Sequence, residues 1–209
     1  QGYSSAASDV YKRQPNVKLA QRVQAHGADA LVVEGMEAGG HDGKLTLMAL
    51  LENVLPDIEI PVIAAGGITD GRGIAASLLM GASGVQMGTR FLLAEECSLH
   101  PKAKDAIMAA ADTDSVVTGF TTGDSVRGLK NRFSDRYLKA EYSGASPDEL
   151  SSISAGTTKR GALFGDTENG FILAGMSLTH LTKIQSAKEI VEELVSETER
   201  RLAAAPGLI

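Results

Sequence analysis

The stretch IPVIAAGGITDGRGIAASLLMGASGVQMGTR (residues 60–90) decides the fold. It contains two short apolar runs, 60–65 and 83–87, and each run ends in a glycine-containing turn. An Ala- and Leu-rich segment, 71–80, lies between them and has the composition of a helix. Short apolar runs that alternate with helical segments predict βαβ units and a parallel sheet.

The same rhythm extends outward from this stretch. Upstream, the apolar run 28–33 precedes the glycine-rich sequence EGMEAGGH (34–41). A further helix is predicted to begin at residue 17, and other helices are predicted at 44–55, 101–111, 148–153 and 187–203. A strand is predicted at 115–120, and an irregular glycine-rich segment at 161–176.

Two fold classes compete for this pattern. An open doubly wound sheet would carry a G-x-G-x-x-G turn, and none of the three turns has that spacing. Glycine turns on successive strands fit the phosphate site of a (β/α)8 barrel better. A whole barrel needs about 250 residues, whereas this chain has 209. We therefore expect an α/β fold, the C-terminal part of a TIM barrel with an appended helical and irregular segment.

The expected organisation is one domain with an unusual start. Residues 1–14 (QGYSSAASDVYKRQ) lack apolar periodicity and the features of a signal peptide, so we expect a non-native or disordered leader. Residues 15–112 contain the strand–helix units, and residues 113–209 form the appended substrate-side and C-terminal part of the same domain.

Composition excludes several classes of function. The net charge of −6 and the pI near 5.3 give no basic face for nucleic acid. No apolar run approaches the roughly 20 residues of a membrane span. The single cysteine, Cys97, has no disulfide partner, which favours a reducing, cytoplasmic compartment. The four histidines lack metal-ligand spacing, so no metal site is expected.

The turns after the second and third strands predict phosphate binding. Gly66, Gly67 and Gly88 allow the backbone to approach a phosphate closely, and Thr89 adds a hydroxyl donor. The N-terminus of the helix that follows would add a favourable dipole. The alternative is that both are ordinary tight turns between strand and helix.

His41 is the candidate for proton chemistry, because it follows two glycines at the end of a strand and titrates near neutral pH. The alternative is a loop histidine that caps the next helix. Three roles are open for Glu34 and Glu37: contact with a ribityl hydroxyl of a ligand, orientation of His41, or exposure to solvent as loop carboxylates. The cationic span 127–139 either faces solvent or meets an anionic cofactor tail or an acidic carrier protein.

Three motifs together resemble a known group of enzymes. EGMEAGGHDGKLT (34–46), IPVIAAGGITDG (60–71) and GVQMGTRF (84–91) are similar to the superfamily of FMN-dependent enoyl-acyl-carrier-protein reductase II and nitronate monooxygenase. The resemblance continues through HPKAKDAI (100–107) and SVRGLKNRF (125–133) and covers nearly everything after residue 15.

This resemblance implies a (β/α)8 barrel with FMN at its C-terminal mouth and His41 beside the flavin. The implied cofactor-binding residues are Glu34, Gly39, Gly40, Gly66, Gly67, Gln86, Met87, Gly88 and Thr89. It also implies an N-terminal half that this chain lacks. We therefore expect a fragment with unpaired strand edges that is neither stable nor active alone.

The form EGMEAGGH, followed by Lys44, Leu45 and Thr46, is more similar to the reductase branch. That branch implies reduction of an enoyl thioester by NADH or NADPH in fatty-acid biosynthesis, on a small-molecule or carrier-protein-bound substrate. The alternatives are nitronate oxidation by a monooxygenase and a non-catalytic flavin-binding remnant. A homodimer through the C-terminal helices is a further expectation.

Overall fold

The computed structural model describes residues 16–41 and 43–208, so the expected leader 1–14 lies outside the described residues. The described strands are β1 (Leu31–Glu34), β2 (Gly40–His41), β3 (Val62–Ala65), β4 (Gly84–Gln86), β5 (Ser115–Thr118) and β6 (Val126–Leu129). The described α-helices are α1 (Val17–Ala25), α2 (Leu47–Val54), α3 (Gly71–Leu79), α4 (Thr89–Leu92), α5 (Pro101–Ala109), α6 (Arg132–Tyr142), α7 (Pro147–Ser154), α8 (Thr157–Phe164) and α9 (Ala187–Ala204).

Strands β1, β3 and β4 form a parallel sheet in that order, as the alternation of strands and helices predicts. Strand β1 is buried along its whole length, which explains its nearly continuous apolar sequence. Glu34 pairs with Ala65, and Ala65 pairs with Gln86. The last residues of the three strands therefore share one row, and the turns that follow them start from the same edge.

One apolar core lies between this sheet and its helices. Leu31, Val33 and Ala64 of the sheet pack in the same cluster as Leu50 and Val54 of α2. Burial of such side chains contributes about 1.5–3 kcal/mol each. The rigid base of the three turns is therefore the parallel sheet with its helical cover.

A second, antiparallel sheet in the order β2-β6-β5 was not predicted, apart from β5. Phe133 and Tyr137 of α6 pack beside it with Leu150 of α7 and Phe171. Two sequence expectations change here. The segment 161–176 begins within helix α8, and the cationic span 127–139 begins in a buried strand rather than on an exposed face.

The α/β fold is confirmed, but the predicted partial barrel is not confirmed by these sheets. Among the described residues, β1 and β4 each have one neighbour in the parallel sheet, so this sheet is open. Every helix within residues 16–41 and 43–208 falls short of the length or apolar character that a membrane crossing requires.

Candidate functional site

The three glycine-rich turns enclose one pocket at the C-terminal edge of the parallel sheet. Its cavity volume is about 130 Å³, and it is partly open to solvent. Its walls are formed by Glu34, Ala38, Gly39, Ala65, Gly66, Gly67, Ile68, Thr69, Gln86, Met87, Gly88, Thr89, Leu92, Leu173, Gly175 and Ser177.

Most of the residues that the resemblance implied for the cofactor lie in this wall. They are Glu34, Gly39, Gly66, Gly67, Gln86, Met87, Gly88 and Thr89. Gly40 and His41 lie in β2, beside the wall but outside the lining. Which of these residues bind a cofactor stays a prediction.

The backbone of the second and third turns offers hydrogen-bond donors to the pocket. Among residues 16–41 and 43–208, no acceptor pairs with the N–H groups of Gly66, Gly67, Gly88 or Thr89. Gly66 and Gly67 have φ angles of 101° and 70°, a region that glycine enters without strain. Unpaired N–H groups at a pocket wall suit an anion with several acceptor oxygens.

The N-terminus of α3 does not contribute a dipole to an anion, contrary to the expectation from sequence. Asp70 accepts hydrogen bonds from the N–H groups of Arg72 and Gly73, and Glu197 of α9 accepts one from Gly71 at 3.0 Å. Burial alone would raise the pKa of Asp70, but the bonds from Arg72 and Gly73 outweigh it and lower this pKa. Two carboxylates thus occupy the helix end that an anion would need.

Residues 174–177 (AGMS, the crossing segment) connect the three turns. The N–H of Met176 donates to the carbonyl oxygen of Glu37 in the first turn at 2.9 Å. The hydroxyl of Ser177 donates to the carbonyl oxygen of Gly67 in the second turn at 2.6 Å. The N–H of Gly175 donates to Oγ1 of Thr89 after the third strand at 2.9 Å. The sequence predicts residues 161–176 as an irregular glycine-rich segment but does not predict these contacts, for which the small residues Ala174 and Gly175 are the available signal.

The crossing segment and the first turn touch backbone to backbone. A Cβ atom on Gly39 would lie 2.6 Å from the carbonyl carbon of Ala174, and one on Gly175 would lie 2.7 Å from the carbonyl oxygen of Glu37. Both distances are too short for a side chain, so glycine is required at both positions by close approach.

The two glutamates beside His41 have different surroundings. Glu37 accepts the N–H of Leu47 with both carboxylate oxygens, at 3.0 and 2.9 Å, and so caps the start of α2. Glu34 is 8% exposed and lies in the pocket wall. The carboxylate of Glu37, rather than the ring of His41, caps the helix that follows the first turn.

His41 lies in β2, which pairs with β6, and its side chain is 73% exposed. Its Nε2 is 3.2 Å from Oδ1 of Asp124, whose side chain is 76% exposed. The antiparallel sheet thus brings a carboxylate to the imidazole, a contact that the sequence alone did not suggest.

Arg127 of β6 connects the antiparallel sheet to the first turn through hydrogen bonds. Its Nε donates to the carbonyl oxygen of Met36 at 3.0 Å, and its Nη1 donates to Oγ of Ser115 at 3.1 Å. This guanidinium is 5% exposed. The other cations of the span 127–139, which are Lys130, Arg132, Arg136 and Lys139, are exposed.

Two other histidines lie at helix ends. Nδ1 of His26 is 2.6 Å from the carbonyl oxygen of Arg22 at the end of α1. Nδ1 of His100 accepts the N–H of Lys102 at the start of α5. Both contacts are structural, because each involves the backbone at a helix end.

Comparison with known proteins places this geometry in a family. A family model described as nitronate monooxygenase matches residues 12–197. A probable nitronate monooxygenase from Staphylococcus aureus (strain MSSA476) is 36% identical, over 82% of this chain and 51% of the relative. The chain therefore spans about half the length of the curated relatives it matches.

Two solved structures show the same architecture. FabK from Thermotoga maritima is 38% identical with a TM-score of 0.90, over 94% of this chain and 62% of that one. The nitroalkane oxidase from Streptomyces ansochromogenes is 31% identical with a TM-score of 0.79, over 92% of this chain and 58% of that one. The fold of this chain thus matches these two structures over more than 90% of its length.

Proposed function

The chain belongs to the nitronate monooxygenase family, and we propose that its three-turn pocket binds FMN and reduces enoyl thioesters with NADH or NADPH. The observation that carries this proposal is the meeting of the three turns around one pocket with unpaired backbone donors. The superfamily that the motifs resemble uses FMN.

The pocket has the donors that the phosphate of FMN requires. The N–H groups of Gly66, Gly67, Gly88 and Thr89 have no protein acceptor among the described residues. The hydroxyl of Thr89 lies in the same wall. Several N–H groups that converge with a hydroxyl bind phosphate oxygens without a cationic side chain.

The rest of the wall suits a flavin ring and its ribityl chain. Ile68, Met87, Leu92 and Leu173 provide apolar surface for an aromatic ring. Glu34 and Gln86 lie on the shared last row of the parallel sheet and present polar groups to the same pocket. FMN held there supplies hydride chemistry that no amino-acid side chain provides.

The proposed reaction adds a hydride to the β-carbon and a proton to the α-carbon of the enoyl thioester, and oxidises NAD(P)H to NAD(P)+. His41 is our candidate for delivering the proton or for polarising the thioester oxygen. Asp124 contacts Nε2 of His41 at 3.2 Å and can hold the ring in one orientation. Because His41 lies outside the pocket lining, the proposal requires its ring to turn toward the pocket mouth when substrate binds.

Two observations favour the reductase over the monooxygenase. The chain is more similar to FabK than to the nitroalkane oxidase, both in identity (38% against 31%) and in TM-score (0.90 against 0.79). Glu34 and the sequence Lys44-Leu45-Thr46 are also more similar to the reductase branch. An enoyl substrate that is a small molecule or is bound to an acyl carrier protein, a cytoplasmic location and a homodimer belong to the same proposal.

The test is NAD(P)H oxidation by the FMN-loaded protein, extended by the N-terminal half of a relative, without oxygen, with and without a trans-2-enoyl thioester. We expect oxidation that depends on the thioester, and we expect His41→Ala to lower turnover about 10²–10⁴-fold. A His41→Ala variant that keeps full turnover would remove His41 from this role. FMN-loaded protein that shows no thioester-dependent oxidation would contradict the reductase proposal.

Nitronate oxidation is the second candidate, favoured by the description of the family model and by the names of the curated relatives. In that reaction His41 would act as the base. Oxygen uptake that depends on a nitronate and needs no NAD(P)H would support it. Bound FMN with neither activity would instead indicate a non-catalytic flavin-binding protein.

A further inference from the structure

The crossing segment 174–177 does more than line the pocket, because it also joins the three turns. Three consecutive residues, Gly175, Met176 and Ser177, each donate one hydrogen bond, and each bond ends in a different turn. The three turns come from separate strand–helix units, so their relative positions depend on what joins them. This segment is such a connection at the pocket itself.

The bond from Gly175 determines what the hydroxyl of Thr89 can do. A threonine hydroxyl has one hydrogen to donate and accepts through its lone pairs. Because Oγ1 of Thr89 accepts the N–H of Gly175 at 2.9 Å, its hydrogen stays free to donate to another acceptor. The crossing segment therefore sets Thr89 as a donor.

The bond from Ser177 has a similar effect on the second turn. Its hydroxyl donates at 2.6 Å to the carbonyl oxygen of Gly67, which belongs to the peptide that joins Gly67 to Ile68. In a trans peptide the carbonyl and the N–H point in opposite directions. The bond thus fixes the direction of the N–H of Ile68, at a glycine pair whose positive φ angles permit many orientations.

We propose that the crossing segment is a positioning element for the phosphate of the cofactor, with Ser177 as its principal side chain. It sets the N–H of Ile68 and the hydroxyl of Thr89 as donors before the ligand binds, which lowers the ordering cost of binding. This inference rests on the proposed function, because it assumes that the phosphate of FMN lies against these turns.

The test compares the affinities of the full chain for FMN and for riboflavin, which lacks the phosphate. Ser177→Ala removes the hydroxyl, and Ser177→Thr keeps it. We expect Ser177→Ala to weaken FMN binding about five- to ten-fold, the usual worth of one hydrogen bond, and riboflavin binding less than about two-fold. We expect Ser177→Thr to restore the preference for FMN.

Ser77→Ala is the matched control. The hydroxyl of Ser77 also donates to a glycine carbonyl, that of Gly73 at 2.8 Å, but within α3 and outside the pocket lining. We expect this variant to leave the ratio of the FMN and riboflavin affinities unchanged, even where it lowers the melting temperature. Thermal melts of the apo-proteins accompany each titration.

The outcomes separate the inference from the proposed function. Equal losses for FMN and riboflavin in Ser177→Ala, or no loss for either, would overturn the positioning role while the proposed cofactor stands. No FMN binding by the unaltered chain would overturn the proposed function and the inference with it. If Ser177→Ala does not melt cooperatively, Thr89→Val replaces it, and an unchanged affinity ratio in that variant would also overturn the inference.

Discussion

The parallel and the antiparallel sheet hold their functional groups in different ways. At the edge of the parallel sheet, the turns and the crossing segment meet through backbone contacts that leave no room for a side chain at Gly39 or Gly175. In the antiparallel sheet, Nε2 of His41 lies 3.2 Å from Oδ1 of Asp124, and both side chains are mostly exposed.

This contrast separates binding from proton transfer. The candidate binding groups are backbone N–H groups, whose positions follow from the fold, so a change there affects stability and binding together. The candidate proton carrier is an exposed side chain, so a change there affects turnover with little effect on stability. Substitutions at both sheets test whether cofactor binding and turnover can be changed separately.

Gly66→Ala should have the largest effect. Gly66 has a φ of 101°, and a Cβ atom there would lie 2.9 Å from the carbonyl oxygen of Gly35. Strain and overpacking together should cost about 2–5 kcal/mol of unfolding free energy and abolish FMN binding. Urea unfolding and FMN titration measure both effects.

Gly144→Ala is the control for that substitution, because Gly144 has a φ of 85° and no atom within 4 Å of the added Cβ. It isolates backbone strain from the clash, and it should leave FMN binding intact. Equal losses of stability in the two variants would contradict the close approach of the first and second turns.

Arg127→Met should have the next largest effect, because it removes the guanidinium that joins the antiparallel sheet to Met36 and Ser115. Buried hydrogen bonds to a charged group are worth about 1.5–3 kcal/mol each, and the carbonyl of Met36 would lose its partner. Arg127→Lys keeps the charge but lacks the forked N–H donors of the guanidinium, so it should recover only part of the lost stability. A loss of unfolding free energy below about 1 kcal/mol, measured by urea unfolding, would mean that other contacts hold the antiparallel sheet in place.

Asp70→Ala should have a smaller effect, about 1 kcal/mol at neutral pH, because it removes the N-cap of α3. Asp70→Asn keeps a capping oxygen and should retain most of the stability. The lowered pKa of Asp70 adds a pH dependence. Its contribution is complete above the unfolded pKa and is lost as the pH falls below about 4 through the folded pKa. If Asp70→Asn and the unaltered protein lose stability in parallel over that range, the charge of Asp70 is not involved.

Asp124→Asn should have the smallest effect on stability. Its contact with His41 is exposed, so the melting temperature should stay within about 2 °C of the unaltered protein. Turnover should nevertheless fall if Asp124 orients the ring of His41 for proton transfer, because the amide replaces the carboxylate that contacts Nε2. A large drop in melting temperature would show that this pair supports the antiparallel sheet.

The parallel sheet and its turns were predictable from sequence because their signal is local. Apolar runs of four to six residues that end in glycine mark both the strands and their ends, and the structure has β1, β3 and β4 within the predicted ranges or one residue beyond them. The pocket residues that follow these strands were predictable for the same reason.

The rest depended on contacts between residues far apart in sequence. Strand β2 has two residues and exists through pairing with Val126 and Arg127, far along the chain. The crossing segment reaches Gly67 across 110 residues. The cap of Gly71 by Glu197 spans 126 residues. Local periodicity in the sequence does not reveal such pairs. For this reason the sequence predicted an anion site at the N-terminus of α3, where the structure has two carboxylates.

Amide hydrogen exchange with and without FMN tests the central claim most directly, since the claim concerns individual N–H groups. The account predicts that FMN slows exchange at Gly66, Gly67, Gly88 and Thr89, and that riboflavin protects these amides less. Unchanged exchange at these four amides in the FMN-bound protein, or protection confined to other parts of the chain, would contradict it.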